Sequence, residues 1–256
     1  MNHLEKLVTI ILVGGLGSKL GPSEKPKCLK DIGTMPLIQK VLNYSNISSI
    51  SQKIIISAGY LGEQIKEFFQ DTIVFSMCPI EIDVEYTPLG TGGSLDRLFK
   101  RYGLSSALVM NGDVLLKAKS DVFKDFYSSV LDTYHDFSVQ GLFSVTPIPD
   151  THWMYVVESD SENRILSFQK NYDSNEGGVV NIGMYWIRRE LLQKYSYLKS
   201  DDGKCSLERN IIPAALKDGI RLKSYLFQPS IFMDMTTQED FDLVKKNIKK
   251  ITRKIE

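Results

Sequence analysis

Residues 7–27 read LVTIILVGGLGSKLGPSEKPK. From Leu7 to Val13 the residues are apolar or β-branched without alternation, the pattern of a strand buried on both faces. The run stops at Gly14-Gly15-Leu16-Gly17-Ser18. Glycines there let backbone approach a ligand closely and aim N–H groups at phosphate oxygens. A buried strand feeding such a turn is how an open α/β sheet presents a ligand site, outside the carboxyl ends of its strands. The stretch is not the dinucleotide fingerprint, because Leu20 stands at the third glycine position. Nor is it a Walker P-loop, because no Gly-Lys-Ser/Thr follows. Taken alone, a tight turn with two surface lysines, Lys19 and Lys27, explains it equally well.

Outward from this stretch, buried runs and helical patterns alternate. Leu37, Ile38, Val41 and Leu42 recur at helical spacing after Pro36, and Lys53 to Ser57 is a second strand. Further helices are predicted over Leu61–Phe69, Ser94–Tyr102 and Asp121–Tyr134, with strands at Ile82–Tyr86, Ala107–Met110 and Phe137–Val145. This order predicts an α/β fold with a Rossmann-like, mixed but mainly parallel sheet sandwiched by helices. After Pro147 the pattern changes. Met154–Glu158 and Ile165–Gln169 flank the turn-rich SDSENR as a hairpin, and Val179–Ile187 is a strand leading into a helix from Arg188. Ser206–Leu216 reads as a helix whose end Pro213 shapes, and Arg221–Phe227 and Ile231–Met233 as strands. Thr237 to Asp240 opens a basic amphipathic helix with a capping box. The second half therefore extends the same sheet as a small β addition, and residues 1–256 are expected to form one domain.

Composition narrows the function classes. Lys plus Arg and Asp plus Glu both number 31, so no global field favours nucleic acid or a membrane surface, and any anion site must be local. Cys28, Cys78 and Cys205 are scattered and form no CxxC pair, which argues against a disulfide framework or a zinc site. The start, MNHLEKLVTII, lacks a basic region and a small-residue cleavage site, and no apolar run reaches membrane-spanning length. A reduced cytoplasmic protein is the expectation.

Four stretches carry chemistry. GGLGSKL followed by Pro26-Lys27 resembles the signature of the sugar-1-phosphate nucleotidyltransferases, GGxGTRL followed by PK. Pro88-Leu89-Gly90-Thr91-Gly92-Gly93 resembles the base-reading loop of their guanylyltransferase branch, which includes the mannose-1-phosphate and D-glycero-D-manno-heptose-1-phosphate enzymes. Asn111-Gly112-Asp113 and the Asp234 of FMDMTTQEDF resemble the elements whose aspartates share Mg²⁺, with Thr236 and Gln238 replacing the family's Gly and Pro. Gln169-Lys170 and Asn181-Ile182-Gly183 resemble its Glu-Lys and Asn-x-Gly sugar-phosphate elements. Ser206-Leu207-Glu208 with Pro213 is similar to an SLE…P segment of the heptose-1-phosphate enzymes, although Glu208 reads as an ordinary acid in a helix's first turn. The likeness covers almost the whole chain, and the landmarks fall in the family's order.

The resemblance implies a nucleotidyltransferase fold of the GT-A type, with residues 1–146 binding nucleotide and 147–256 binding sugar phosphate. It implies that Leu12, Gly14, Gly15, Gly17 and Ser18 wrap a nucleoside triphosphate and that Pro88 to Gly93 read its base. Lys19 stands where the family has Arg, and the spacer Gly21 to Lys25 is about two residues shorter than in most of the family. Lys19, Lys27, Asp113 and Asp234 would be the catalytic set, Asp113 and Asp234 holding Mg²⁺. Gly112, Gln169, Lys170, Asn181 and Gly183 would meet the sugar 1-phosphate. The implied reaction forms an NDP-sugar and pyrophosphate, with GTP favoured and heptose 1-phosphate ahead of mannose 1-phosphate. A cytidylyltransferase, a non-catalytic nucleotide-sugar-binding regulator and a glycosyltransferase are the rivals. The last usually carries a D-x-D metal motif, which the single Asp113 after Asn-Gly does not supply. Partners beyond the substrates are not implied, and self-association is left open.

Overall fold

The structure, a computed structural model, describes residues 7–15, 24–71, 76–172, 176–235 and 238–253. It divides into two compact units, each built from separated segments: residues 1–87, 110–123 and 229–256 in the first, and 88–109 and 124–228 in the second.

In the first unit, β1 (Leu7–Leu12), β4 (Ser51–Ala58) and β5 (Ile80–Val84) pair in parallel, with Ile10 opposite Ile55 and Ile56 opposite Ile82. Ile10, Ile11, Ile54, Ile55 and Ile56 are fully buried, as strands covered on both faces require. The polar exceptions are satisfied: the hydroxyls of Thr9 and Ser51 lie 2.6 Å apart, and Ser51 donates to the Ile47 carbonyl. Helix α1 (Leu37–Ser45) starts after Pro36 and stops at Asn46, whose φ of 49° is left-handed. Helix α2 (Gly62–Asp71) leads from β4 towards β5. A two-residue ribbon, β2 (Asp31–Ile32) with β3 (Met35–Pro36), and an antiparallel pair, β7 (Val114–Lys117) with β13 (Ile231–Asp234), complete the strands of this unit. Sequence periodicity did not single out β7.

The second unit is organised around β8 (Val139–Ile148), which pairs antiparallel with β11 (Gly178–Arg188) and parallel with β12 (Arg221–Leu226). The expected hairpin is β9 (Tyr155–Ser159) with β10 (Ile165–Lys170). Asp160 holds its turn by accepting from the Glu162 and Arg164 amides. Phe126, Phe143, Tyr185, Trp186 and Phe227 are fully buried at its centre. The α/β class and the mixed, mainly parallel sheet flanked by helices are the ones expected. Among the described residues no helix is long and apolar enough to cross a membrane, and all three cysteines are free.

Pro213 departs from expectation. It sits in the first turn of α6 (Ile212–Lys217), after a wide π turn over Leu207–Ile211, and so begins a helix rather than ending one. Its missing N–H costs nothing in a first turn. Helix α3 (Gly90–Tyr102) also starts earlier than the predicted Ser94. Thr237, the first residue of the expected capping box, lies outside the described residues.

Arg188 ties the end of α4 (Ser120–His135) to β8. The residue is only 6% exposed, and its guanidinium donates to the Val139 carbonyl at 3.0 Å and to the Tyr134 carbonyl at 2.5 Å. It lies over the Trp186 ring at 4.8 Å and the Phe137 ring at 4.9 Å. A cation here satisfies carbonyls that the helix terminus leaves without partners. Arg188→Leu should therefore destabilise the fold by about 2 kcal/mol or more, read from the midpoint of urea unfolding.

Candidate active site

The first unit brings one group of expected residues together. At the end of β1, the Val13 N–H donates to the Ser57 carbonyl, and the chain turns at Gly14. Gly14 lies against Gly59, where an added Cβ would come within 2.6 Å of the Gly14 carbonyl oxygen. Gly59 was not picked out in the sequence; only the β1–β4 pairing reveals its role. The Gly112 N–H donates to the Leu12 carbonyl at 2.9 Å. A Cβ on Gly112 would lie 2.3 Å from Val13 Cγ1 and 2.9 Å from the Leu12 oxygen. The glycine of Asn111-Gly112-Asp113 is thus demanded by the strand end beneath it.

Asp113 and Lys27 meet. Lys27 opens a short 3-10 turn, Lys27–Leu29, anchored by buried Cys28 and Leu29. Its ammonium donates to Asp113 Oδ2 at 2.8 Å. Burial pushes the Cys28 thiol up to about 12, so it remains an inert anchor beside the lysine. Asp234 pairs with Val114 in the β7–β13 ribbon, and the next amide, Met235 N–H, donates to the Asp113 carbonyl at 3.0 Å. The backbones of Asp113 and Asp234 therefore run side by side. Among the described residues no group of three or more His, Cys, Asp or Glu could hold a metal alone. Two carboxylates whose remaining ligands are phosphates and waters suit Mg²⁺. Gly17, Ser18 and Lys19 lie outside the described residues.

The second unit holds the other group. Pro88 to Gly93 is not a loop ahead of a helix: α3 begins at Gly90. Gly90 has a φ of +79°, and a Cβ there would lie 2.5 Å from the Cys205 oxygen. One on Gly92 would lie 2.6 Å from Ile211 Cδ1. The Gly92 and Gly93 amides, first-turn donors without helical partners, reach the Cys205 carbonyl at 2.9 and 3.2 Å. These glycines are spent on packing against the Cys205–Ile211 segment. The Thr91 hydroxyl is also turned inward, accepting from Leu207 N–H and donating to Glu208 Oε2 at 2.9 Å.

Lys170 ends β10 opposite Tyr155, with its ammonium 5.4 Å from the Tyr155 ring and 5.9 Å from the Trp153 ring. Burial first, then the charge of Glu208, hold the Tyr155 phenol above its usual range. Trp153 has a φ of +62°, a rare conformation for a bulky residue, pinned by its N–H on the Asn171 carbonyl. The sequence singles out neither aromatic, because Tyr155 reads only as part of the Met154–Glu158 strand and Trp153 precedes it. Gln169 is exposed, whereas Asn181 is buried and donates to the Tyr185 hydroxyl at 3.1 Å. Gly183, at a φ of +73°, occupies an irregularity in the β11 register and donates its N–H to Asn181 Oδ1. Glu208 does stand in a first turn, but its carboxylate is buried and accepts from three hydroxyls.

The glycines of the first unit separate by cause. Among the described residues a methyl on Gly15 would meet no atom within 4 Å, whereas one on Gly112 cannot be fitted. Gly15→Ala should leave the thermal midpoint unchanged and, were Gly15 the ligand-facing glycine that the family resemblance implies, weaken triphosphate binding about tenfold or more in an equilibrium titration. Gly112→Ala should lower the midpoint itself, by overpacking of about 1–3 kcal/mol.

Comparison with known proteins identifies the family and the fold. The chain is 28% identical over 244 residues to the D-glycero-alpha-D-manno-heptose 1-phosphate guanylyltransferase of Aneurinibacillus thermoaerophilus, covering 93% of this chain and 97% of that one. It is 27% identical over 235 residues to the mannose-1-phosphate guanylyltransferase of Mycobacterium tuberculosis, covering 91% of this chain and 62% of the relative. The crystal structure of HddC from Yersinia pseudotuberculosis superposes with a TM-score of 0.75 at 24% identity, covering 94% of this chain and 99% of that one, so the fold is the expected one. Residues 8–250 match the Nucleotidyl transferase family, which is nearly the whole chain, and the chain belongs to that family.

Proposed function

We propose that the protein is a sugar-1-phosphate guanylyltransferase, acting on D-glycero-D-manno-heptose 1-phosphate in preference to mannose 1-phosphate. The observation that carries this reading is the set Gly14–Gly15, Lys27, Asp113 and Asp234 gathered around the ends of β1 and β6 (Ser106–Asn111). The names of the relatives support the choice of GTP and of a manno-configured sugar phosphate.

An oxygen of the sugar 1-phosphate attacks the α-phosphorus of GTP. A new P–O bond forms while the bond to the α,β-bridging oxygen breaks, and pyrophosphate leaves with that electron pair. The nucleophile is already ionised, so no general base is required, and catalysis is positioning plus neutralisation of charge. Mg²⁺, when held by Asp113 and Asp234, supplies a Lewis acid for the phosphate oxygens. Lys27 contributes a cation whose direction is fixed by Asp113 before substrate arrives. Lys170 would take the phosphate of the sugar substrate, steadied by the faces of Tyr155 and Trp153. Lys19, at the position of the family's Arg, would meet the departing pyrophosphate with a compact charge instead of a planar fork.

The test is pyrophosphate release by the purified protein with Mg²⁺, each of the four nucleoside triphosphates, and heptose, mannose or glucose 1-phosphate. GTP with heptose 1-phosphate should give the fastest turnover. Asp113→Asn should lower it by at least about 100-fold while the circular dichroism spectrum is retained. Wild-type rates in that variant would remove Asp113 from the mechanism. Binding of GTP without turnover on any sugar phosphate would favour a regulatory binder.

A further inference from the structure

Glu208 is a buried acid, 8% exposed, to which the reaction scheme gives no task. Three hydroxyls donate to it: Thr91 at 2.9 Å and Ser206 at 3.0 Å on Oε2, and Tyr185 at 3.1 Å on Oε1. Behind each hydroxyl stands an N–H that fixes its direction. Leu207 N–H donates to Thr91, Arg209 N–H to Ser206 and the Asn181 side-chain amide to Tyr185. Every proton in the three chains therefore points towards Glu208, and an acceptor-only carboxylate is the group that can end all of them. Chained hydrogen bonds of one polarity strengthen one another in a buried setting. At the far end of one chain, Gly183 N–H donates to Asn181 Oδ1, so the amide of Asn181 has a single orientation that satisfies both its neighbours.

Two of the three arms end on different parts of the second unit, while the third, through Ser206, stays within the turn that carries Glu208. One is Thr91, in the first turn of α3 within Pro88–Gly93; the other is Asn181, on β11. Under the guanylyltransferase reading, on which this inference rests, these are the base-contacting turn and the sugar-contacting strand. We infer that Glu208 is a positioning residue that sets both substrate contacts at once, holding the Pro88–Gly93 turn through Thr91 and the Asn181 amide through Tyr185. It touches neither substrate and acts by fixing the groups that do. Its isostere, glutamine, would set an N–H donor against one of the incoming hydroxyl protons and reverse the polarity of an arm.

The variants separate the two arms. Tyr185→Phe removes one hydroxyl and cuts only the Asn181 arm, whereas Thr91→Val cuts only the Thr91 arm. Thr91→Ser keeps the hydroxyl. Tyr185→Phe should raise KM for the sugar 1-phosphate about tenfold, equivalent to about 1.4 kcal/mol, and leave KM for GTP within about twofold. Thr91→Val should do the reverse, and Thr91→Ser should restore it. Glu208→Gln should raise both, with kcat at saturation changed less than either KM. Equilibrium titration of GTP and of mannose 1-phosphate onto each folded variant, checked by thermal melts, gives the same readout without turnover. If Tyr185→Phe and Thr91→Val lower the melting temperature but leave both KM values at wild type, Glu208 only holds the fold, and the inference is overturned even should Glu208→Gln fail to fold. A wild-type protein that binds neither ligand would instead overturn the guanylyltransferase reading, and the inference with it.

Discussion

A single backbone contact fixes the geometry on which the first unit's candidate site depends. The Gly112 N–H reaches the Leu12 carbonyl, and the space where a side chain would begin is already taken by Val13. Two strand ends are thereby stopped side by side. Whatever follows each of them comes close: the Gly14–Gly15 turn after β1, and Asp113 after β6. β13 then adds Asp234 through the register of its pairing with β7. Lys27 arrives on a turn whose next two residues are buried. Backbone register, more than the reach of flexible side chains, places these groups, which is the condition for a site that holds its geometry before substrate binds.

Lys27 and Lys170 are held by different physics. Lys27 is paired with a carboxylate, their side chains being 14% and 37% exposed. A pair that open to water adds little stability, about 0–1 kcal/mol. Its value is directional, since a short charge-assisted bond fixes where the ammonium points. Lys170 lies over aromatic faces, which attract a cation through the ring quadrupole. The first arrangement suits a cation that must hold one bearing.

Much of this was legible in the sequence. The buried isoleucine and valine runs marked β1, β4 and β6, because a strand covered on both faces has no polar side to show. The short motifs named both Lys27 and Asp113, although nothing in them announced that the two side chains meet. What the sequence withheld depends on contacts between distant residues. Gly90 and Gly92 read as room for a base, yet the atoms that forbid a side chain there belong to Cys205 and Ile211, more than a hundred positions away. Glu208 read as an ordinary first-turn acid because periodicity cannot report that hydroxyls from Thr91 and Tyr185 converge on it. Val114–Lys117 is too short to announce itself, and only its partner Ile231–Asp234 makes it a strand. Pro213 read as a stop because the π turn that absorbs it has no signature in composition.

The β7–β13 ribbon also sets the order in which the molecule is completed. β7 leaves the ribosome more than a hundred residues before β13, and until then its hydrogen-bonding edge has no partner of its own. Pairing at so large a sequence separation is slow and comes late, because the chain must first be closed over a long loop. Asp234 belongs to the second of the two strands, so the paired carboxylates are assembled only when the final segment docks. A nascent or prematurely ended chain can thus own its glycine turn, its Lys27 and its Asp113 and still lack Asp234 beside them. What it does possess is an open strand edge, the feature through which incomplete β structures stick to one another.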